Sequence, residues 1–157
     1  MKKFSPEEYY KSLPKKRMGS GVLFFNGKGE ILVVKPNYKE GWILPGGTVD
    51  ENESPLTAAV REVKEEIGLD ISKLTLACVD YTPLVGGIKT EALQFVFTGG
   101  VLDDKHISQI KLQAEELDTF KFVFPSEALS ILTHGLRARL PDCLKAIEKG
   151  TVIYRES

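Results

Sequence analysis

Residues 47–69 constrain this chain more than any other stretch; they read GTVDENESPLTAAVREVKEEIGL. A glycine bend, Pro45-Gly46-Gly47, leads into an acidic loop, Asp50-Glu51-Asn52-Glu53. Ser54-Pro55 then supplies an N-cap oxygen and a first-turn proline, both strong signals for a helix start. Leu56, Ala59, Val60, Val63 and Ile67 follow at helical spacing, and Gly68 stands where a helix C-cap belongs. The segment reads as a bend, a loop and an amphipathic helix whose apolar stripe needs a surface to lie on.

The same segment concentrates negative charge. Six acidic side chains lie between Asp50 and Glu66, offset only by Arg61 and Lys64, in a chain of net charge −1. Glu62, Glu65 and Glu66 stand at i, i+3 and i+4, which on a helix is one patch. With the apolar stripe on another face, the spacing points these carboxylates away from the core. Like charges so placed repel by about 0.2–0.5 kcal/mol per pair. A hard divalent cation removes that penalty, and carboxylate oxygen is the donor that Mg²⁺ or Mn²⁺ takes. Alone, a glutamate-rich face is an ordinary solvated surface, and Arg61 with Glu65 an ordinary i, i+4 ion pair. The combination of bend, acidic loop, capped helix and carboxylate triplet is what points to a metal site.

That combination resembles the signature of the Nudix hydrolase family, Gx₅Ex₇REUxEExGU with U aliphatic. Gly47, Glu53, Arg61, Glu62, Val63, Glu65, Glu66, Gly68 and Leu69 fill every fixed position. The Trp42-Ile43-Leu44-Pro45-Gly46-Gly47 lead-in is similar as well, and Glu115-Glu116 before an aromatic strand fits the family layout. The resemblance implies an α+β Nudix fold, a mixed central β-sheet sandwiched between α-helices. It implies Mg²⁺ or Mn²⁺ as cofactor and a small-molecule substrate, a nucleoside diphosphate linked to another moiety, cleaved by water attack on phosphorus. Carried over by position, Glu62, Glu65 and Glu66 are metal ligands, joined by the Gly46 carbonyl and by Glu116 or its neighbour Glu115. A box glutamate, Glu62 first and Glu65 next, orients or deprotonates the attacking water. Arg61 and Glu53 brace the loop against the helix.

Substrate contacts are less marked. Arg17, Lys35, Tyr38 and Lys39 lie near strand ends and are candidates for phosphate or base, as surface position alone would also explain. Trp42 is a candidate for stacking, although packing accounts for it equally. Tyr81 and the 83–89 turn are candidates for a specificity wall. Oxidised nucleoside triphosphates, ADP-ribose, dinucleoside polyphosphates and nucleotide sugars are all compatible, with a tilt toward nucleoside triphosphates or a broad range.

The rest of the chain supports a single domain over residues 1–157, a length within the roughly 100–200 residues usual for one domain. Ser5-Pro6 starts a short helix that stops before Pro14. Residues 18–25 and 30–35 form a hairpin about Asn26-Gly27-Lys28-Gly29, which is a turn and lacks the GxxxxGK[ST] pattern of a phosphate loop. Further strands are expected at 74–81, 91–98 and 119–124, with helices starting at Pro125 and covering 135–149.

Composition excludes several classes. Apolar residues at 42% and charged residues at 27% exclude collagen-like and disordered chains. Near-neutral charge gives no global field for nucleic acid or an anionic membrane, so neither is expected as a partner. Apolar runs such as 22–25 fall far short of the ~20 residues that span a bilayer, and MKKFSPEEYYKSL lacks a signal-peptide core. Cys78 and Cys143 have no zinc spacing and read as buried free thiols, which suits a reducing, cytoplasmic setting. His106 and His134 are isolated, and there is no Ser-His-Asp or Cys-His arrangement. Two rival readings are weighed: a nucleotide-binding sensor module without turnover, disfavoured by the intact glutamates, and a prenyl diphosphate isomerase, disfavoured because neither cysteine adjoins the box. A homodimer is an assembly the sequence leaves open.

Overall fold

Val22, Leu23 and Phe24 are consecutive and all fully buried. A strand can bury consecutive residues only when both of its faces are covered, and that is the architecture. The computed structural model describes residues 4–157; the expectation drawn from the Met1–Lys3 segment lies outside them. Its elements are α1 (Pro6–Ser12), β1 (Arg17–Phe25), β2 (Ile31–Pro36), β3 (Gly46–Thr48), α2 (Pro55–Ile67), β4 (Thr75–Thr82) and β5 (Ala92–Val101), then α3 (Asp104–Ser108), β6 (Leu117–Val123), α4 (Pro125–Ile131), α5 (His134–Lys149) and β7 (Ile153–Glu156).

The strands form one mixed sheet in the order β6-β2-β1-β5-β4-β7, with β3 paired to β1. β1 runs parallel to β5 and β4 parallel to β7, whereas β2–β6, β4–β5 and β1–β3 are antiparallel. The β1–β2 hairpin pairs only at Phe25 and Ile31. Beyond it the two strands separate, and residues 43–48 run between them, bonded to β2 through Val34 and Ile43 and to β1 through Val22 and Pro45. This insertion places the Gly46-Gly47 bend in the middle of the sheet.

One face packs Val22, Phe24, Leu32, Val34 and Phe97 against Ala59, Val63 and Ile67 of α2. The other packs Leu23, Ile31, Val33, Cys78 and Val96 against Ala128 of α4, Leu132 just beyond it, and Leu140 and Cys143 of α5. The expected helix-covered mixed sheet is present, and both cysteines are buried free thiols. Among the described residues no helix is long and apolar enough to cross a membrane.

The helix signals hold closely. Ser5 and Ser54 accept N–H bonds from Glu8 and Thr57, and Gly68 closes α2 in the left-handed conformation. Two expectations about α2 need correction. Leu56 is exposed, and Ala58 is buried in its stead. The carboxylates do not all face outward: Glu66 is only 2% exposed. Seven residues separate Glu66 from Ala59, a rotation within about 20° of two full turns, so Glu66 lies on the buried stripe. A four-residue strand, β7, also completes the sheet edge where the sequence carried no expectation.

Candidate active site

Gly46 adopts φ +153°, and a Cβ there would stand 2.7 Å from the Gly21 Cα atom. Only glycine lets the bend press against β1 so closely. At Gly47 the constraint comes from the helix, since an added Cβ would be 2.6 Å from the Glu62 carboxyl carbon. The two glycines therefore bring backbone and box carboxylates into contact. The Gly46 N–H donates to Glu66 Oε2 at 2.8 Å, tying the bend to the C-terminal half of α2.

Arg61 organises the other acidic groups. Its Nε and Nη2 donate to the two oxygens of Glu53 at 2.8 and 3.0 Å, a bidentate pair. Its Nη1 donates to Glu62 at 2.9 Å and Glu65 at 3.1 Å, and Nη2 also reaches the Thr48 carbonyl at 3.1 Å. Glu53 in turn accepts the Asp50 N–H at 2.9 Å, closing the acidic loop on itself. The bonds from Arg61 and Asp50 hold the Glu53 carboxyl down to about 2. One guanidinium thus fastens the loop, the β3 backbone and the helix together.

Glu66 has the opposite environment. Burial pushes its carboxyl up to about 8; the Gly46 N–H opposes this, and the charges of Glu62 and Glu116 add to it. Burial also raises Glu62, against the pull of Arg61. Glu116 reaches the group because its loop is docked across the end of α2. Gln113 and Lys111 donate backbone N–H bonds to the carbonyls of Glu66 and Ile67, and the Asn37 backbone N–H and side chain bond the carbonyls of Glu116 and Glu115. Tyr38 is near enough that burial and the charges of Glu66, Glu116 and Glu62 raise its phenol, and Lys39 acts on Glu66 as a nearby cation.

The site therefore brings together Gly46, Glu53, Arg61, Glu62, Glu65, Glu66 and Glu116. In this arrangement Glu62 and Glu65 turn toward Arg61, and among the described residues no three acidic, His or Cys groups stand converged on one point as metal ligands. The donor chemistry nevertheless fits a hard divalent cation. The groups are oxygen donors, and Glu66 is a buried carboxylate crowded by like charges.

The three residues singled out for substrate engage other partners. Arg17 bonds Thr90 through Nε at 2.8 Å and Nη2 at 2.9 Å. Lys35 donates to the carbonyls of Lys39 and Gly41, both at 3.2 Å, and so shapes the loop after β2. Trp42 packs into the α4–α5 side of the core, with the Lys121 ammonium 4.8 Å from its ring centre. None of the three hydrogen-bonds the box carboxylates. Tyr38 and Lys39, candidates beside them, are the ones that feel or exert a charge effect at the site. Glu66's burial and its bond to Gly46 were the features sequence reasoning missed, and the seven-residue spacing from Ala59 was the available signal.

Residues 15–145 match the family model described as NUDIX domain. Among curated proteins, the chain is 44% identical over 62 residues to the 8-oxo-dGDP phosphatase NUDT18 of Danio rerio, covering 38% of this chain and 19% of that one. It is 41% identical over 56 residues to an RNA pyrophosphohydrolase of Hydrogenovibrio crunogenus, covering 36% of this chain and 34% of that one. The match thus spans between a fifth and a third of those relatives' lengths. Among solved structures, a MutT protein from Methanosarcina mazei Go1 superposes with a TM-score of 0.68 at 25% identity, over 88% of this chain and 99% of that one.

Proposed function

The chain belongs to the NUDIX domain family, and from that premise we propose that it is a divalent-cation-dependent hydrolase cleaving a phosphoric anhydride bond in a nucleotide. The observation that carries this reading is the carboxylate group built on the Gly46-Gly47 bend, braced by Arg61 and centred on buried Glu66. Such a concentration of oxygen donors has no packing role that apolar side chains would not fill better. The proposal takes residues 1–157 as one unit working in the cytoplasm on a small soluble substrate.

Glu62, Glu65 and Glu66 would hold Mg²⁺ or Mn²⁺, with the Gly46 carbonyl and Glu116 as further oxygen donors. When bound, the cation supplies charge neutralisation on the pyrophosphate oxygens and acidifies coordinated water. The chain's own groups do the rest. Arg61, held by Glu53, keeps the helix and loop in register and holds Glu62 and Glu65 at its own side, while Glu66 bonds the bend. Glu62 lies against the Gly47 backbone and is the first candidate to orient the attacking water and take its proton, with Glu65 next. Lys39 and Tyr38, within electrostatic reach of the acidic group, would meet an anionic phosphate and its attached moiety.

For substrate, the activities for which the two curated relatives are named, on 8-oxo-dGDP and on RNA, favour a phosphorylated nucleotide. The nucleoside triphosphate reading is kept first, and a triphosphorylated RNA end enters because one relative acts on RNA. The test is a hydrolysis panel with Mg²⁺ and with EDTA: nucleoside triphosphates, 8-oxo-dGDP and 8-oxo-dGTP, ADP-ribose, diadenosine polyphosphates, nucleotide sugars and a triphosphorylated RNA. Metal-dependent cleavage between phosphates of one member supports the proposal and names the class. Nucleotide binding with no turnover of any member would replace it with the sensor reading.

A further inference from the structure

Glu116 stands on an exposed loop, yet its backbone is tightly held. Three hydrogen bonds hold it. Its own N–H donates to the Gln113 carbonyl at 3.1 Å. Its carbonyl accepts the Asn37 backbone N–H at 2.9 Å, and the neighbouring Glu115 carbonyl accepts the Asn37 side-chain amide at 3.0 Å. Those two carbonyls belong to the peptide planes on either side of the Glu116 Cα atom. Peptide planes are rigid, so the rotations between them are all the backbone freedom a residue has. One asparagine therefore holds both planes, and with them the direction in which the Glu116 side chain leaves the chain.

The local sequence explains how Asn37 comes to lie there. β2 pairs with β6 regularly from Ile31 opposite Val123 to Lys35 opposite Thr119; the register then shifts, and Pro36 faces Leu117. Proline has no N–H to give the ladder. The pairing resumes with the Asn37 backbone N–H, and the Asn37 amide adds a second bond beyond it. An asparagine in a turn commonly bonds its own backbone two residues on. This one crosses to another loop instead. The far side of that loop is fixed to α2, where Gln113 and Lys111 donate backbone N–H bonds to the Glu66 and Ile67 carbonyls. The Glu116 segment is thus strung between the end of the box helix and Asn37. The chain beyond Asn37 carries Tyr38 and Lys39, and the Lys35 ammonium closes it by bonding the Lys39 and Gly41 carbonyls, both at 3.2 Å. Buried Glu66 feels Glu116 from one of these loops and Lys39 from the other, and Asn37 is the residue that joins the two loops.

We infer that Asn37 is a positioning residue for the metal site, acting through Glu116 by holding that side chain toward the carboxylates around Glu66. The inference rests on the divalent-cation reading above. It extends that reading to a residue outside the box that offers the cation no oxygen of its own yet sets how tightly it is bound.

The test is isothermal titration calorimetry of the full chain with Mn²⁺ and no nucleotide, on the wild type, Asn37→Ala, Glu116→Gln and the double variant. Asn37→Ala keeps the backbone N–H and removes only an exposed amide, so its melting temperature stays near that of the wild type. Its Mn²⁺ affinity falls roughly tenfold, the loss typical when a partner that orients a metal ligand is removed. Glu116→Gln weakens binding as well. Adding Asn37→Ala to it brings no further loss, because the group through which Asn37 acts is already gone. Wild-type affinity in Asn37→Ala overturns the inference and leaves the metal reading standing. So does wild-type affinity in Glu116→Gln, or an equal loss from Asn37→Ala in both backgrounds, which would make the amide a strand-end staple independent of Glu116. A melting temperature that collapses in Asn37→Ala overturns it in the same way. A wild type that takes up no Mn²⁺ overturns the metal reading itself, and the inference with it.

Discussion

Glu66 carries a carboxylate into the buried stripe of α2 and spends one oxygen on the Gly46 N–H, 2.8 Å away, so the group most deeply placed in the acidic site also clamps its backbone. Its carboxyl is pushed up to about 8 by burial. A raised acid binds its proton more tightly in the folded state, so the metal-free protein loses stability as pH rises from the ordinary carboxyl value toward about 8. Glu66→Gln removes that loss while abolishing most turnover. Melting temperature against pH in EDTA, beside activity in Mg²⁺, checks both; a steeper loss of stability with pH in the variant would contradict the assignment.

Glu53 behaves in the reverse sense. Its carboxyl is held down to about 2 by Arg61 and the Asp50 N–H. Its contribution is complete above the ordinary carboxyl value and disappears as pH falls toward about 2. Thermal melts of Glu53→Gln therefore fall below wild type at neutral pH and converge with it in strong acid. Arg61→Lys, which cannot reproduce the bidentate fork, lowers turnover about a hundredfold, the cost of a small displacement of catalytic groups.

The two glycines of the bend separate stability from chemistry. An alanine at Gly46 meets the β1 backbone in an unfavourable φ region, whereas at Gly47 it meets only the Glu62 carboxylate. Gly46→Ala lowers the melting temperature by several degrees. Gly47→Ala leaves it nearly unchanged and removes metal-dependent turnover, because Glu62 must swing away.

Within α2, Val63→Ala destabilises by about 1–3 kcal/mol in urea unfolding, since the side chain is fully buried. Leu56→Ala stays within about 0.5 kcal/mol of wild type, being exposed. Equal effects would show that the stripe lies elsewhere.

Asp80 is fully buried and bonded to Arg139 at 2.6 Å, Arg155 at 3.1 Å and the Ser157 hydroxyl at 2.7 Å. Asp80→Ala leaves Arg139 without its carboxylate and Arg155 with only Asp142, and costs about 3–5 kcal/mol by chemical denaturation.

The local signals in this sequence were highly legible, and the long-range ones were not. Ser54-Pro55 and Gly68 bracket α2 as their capping chemistry requires, because those bonds close within a few residues. Leu56 and Glu66 were misplaced because an amphipathic stripe has an orientation only relative to the sheet it meets. β7 escaped notice because its four residues pair with β4, some seventy-five positions away, and alternate buried and exposed on an edge. Lys35 is a candidate by its charge near a strand end and Trp42 by its ring before the bend. Lys35 bonds the loop after β2 and Trp42 packs on the α4–α5 side, while Tyr38 and Lys39, on the intervening loop, lie within the electrostatic reach of the carboxylates.

Asp80 lies near the middle of the chain, while Arg139 and Arg155 follow it by 59 and 75 residues. The partners that neutralise its carboxylate in the fold are all later in sequence than the β4–β5 hairpin that carries it. Closure of that sheet edge is therefore deferred until Arg139 and Arg155 have both been added and have folded back on it. Premature termination before Arg155 should then yield a chain that holds its box helix on the sheet but exposes a charged, half-finished edge, a form that quality-control proteases are well suited to remove.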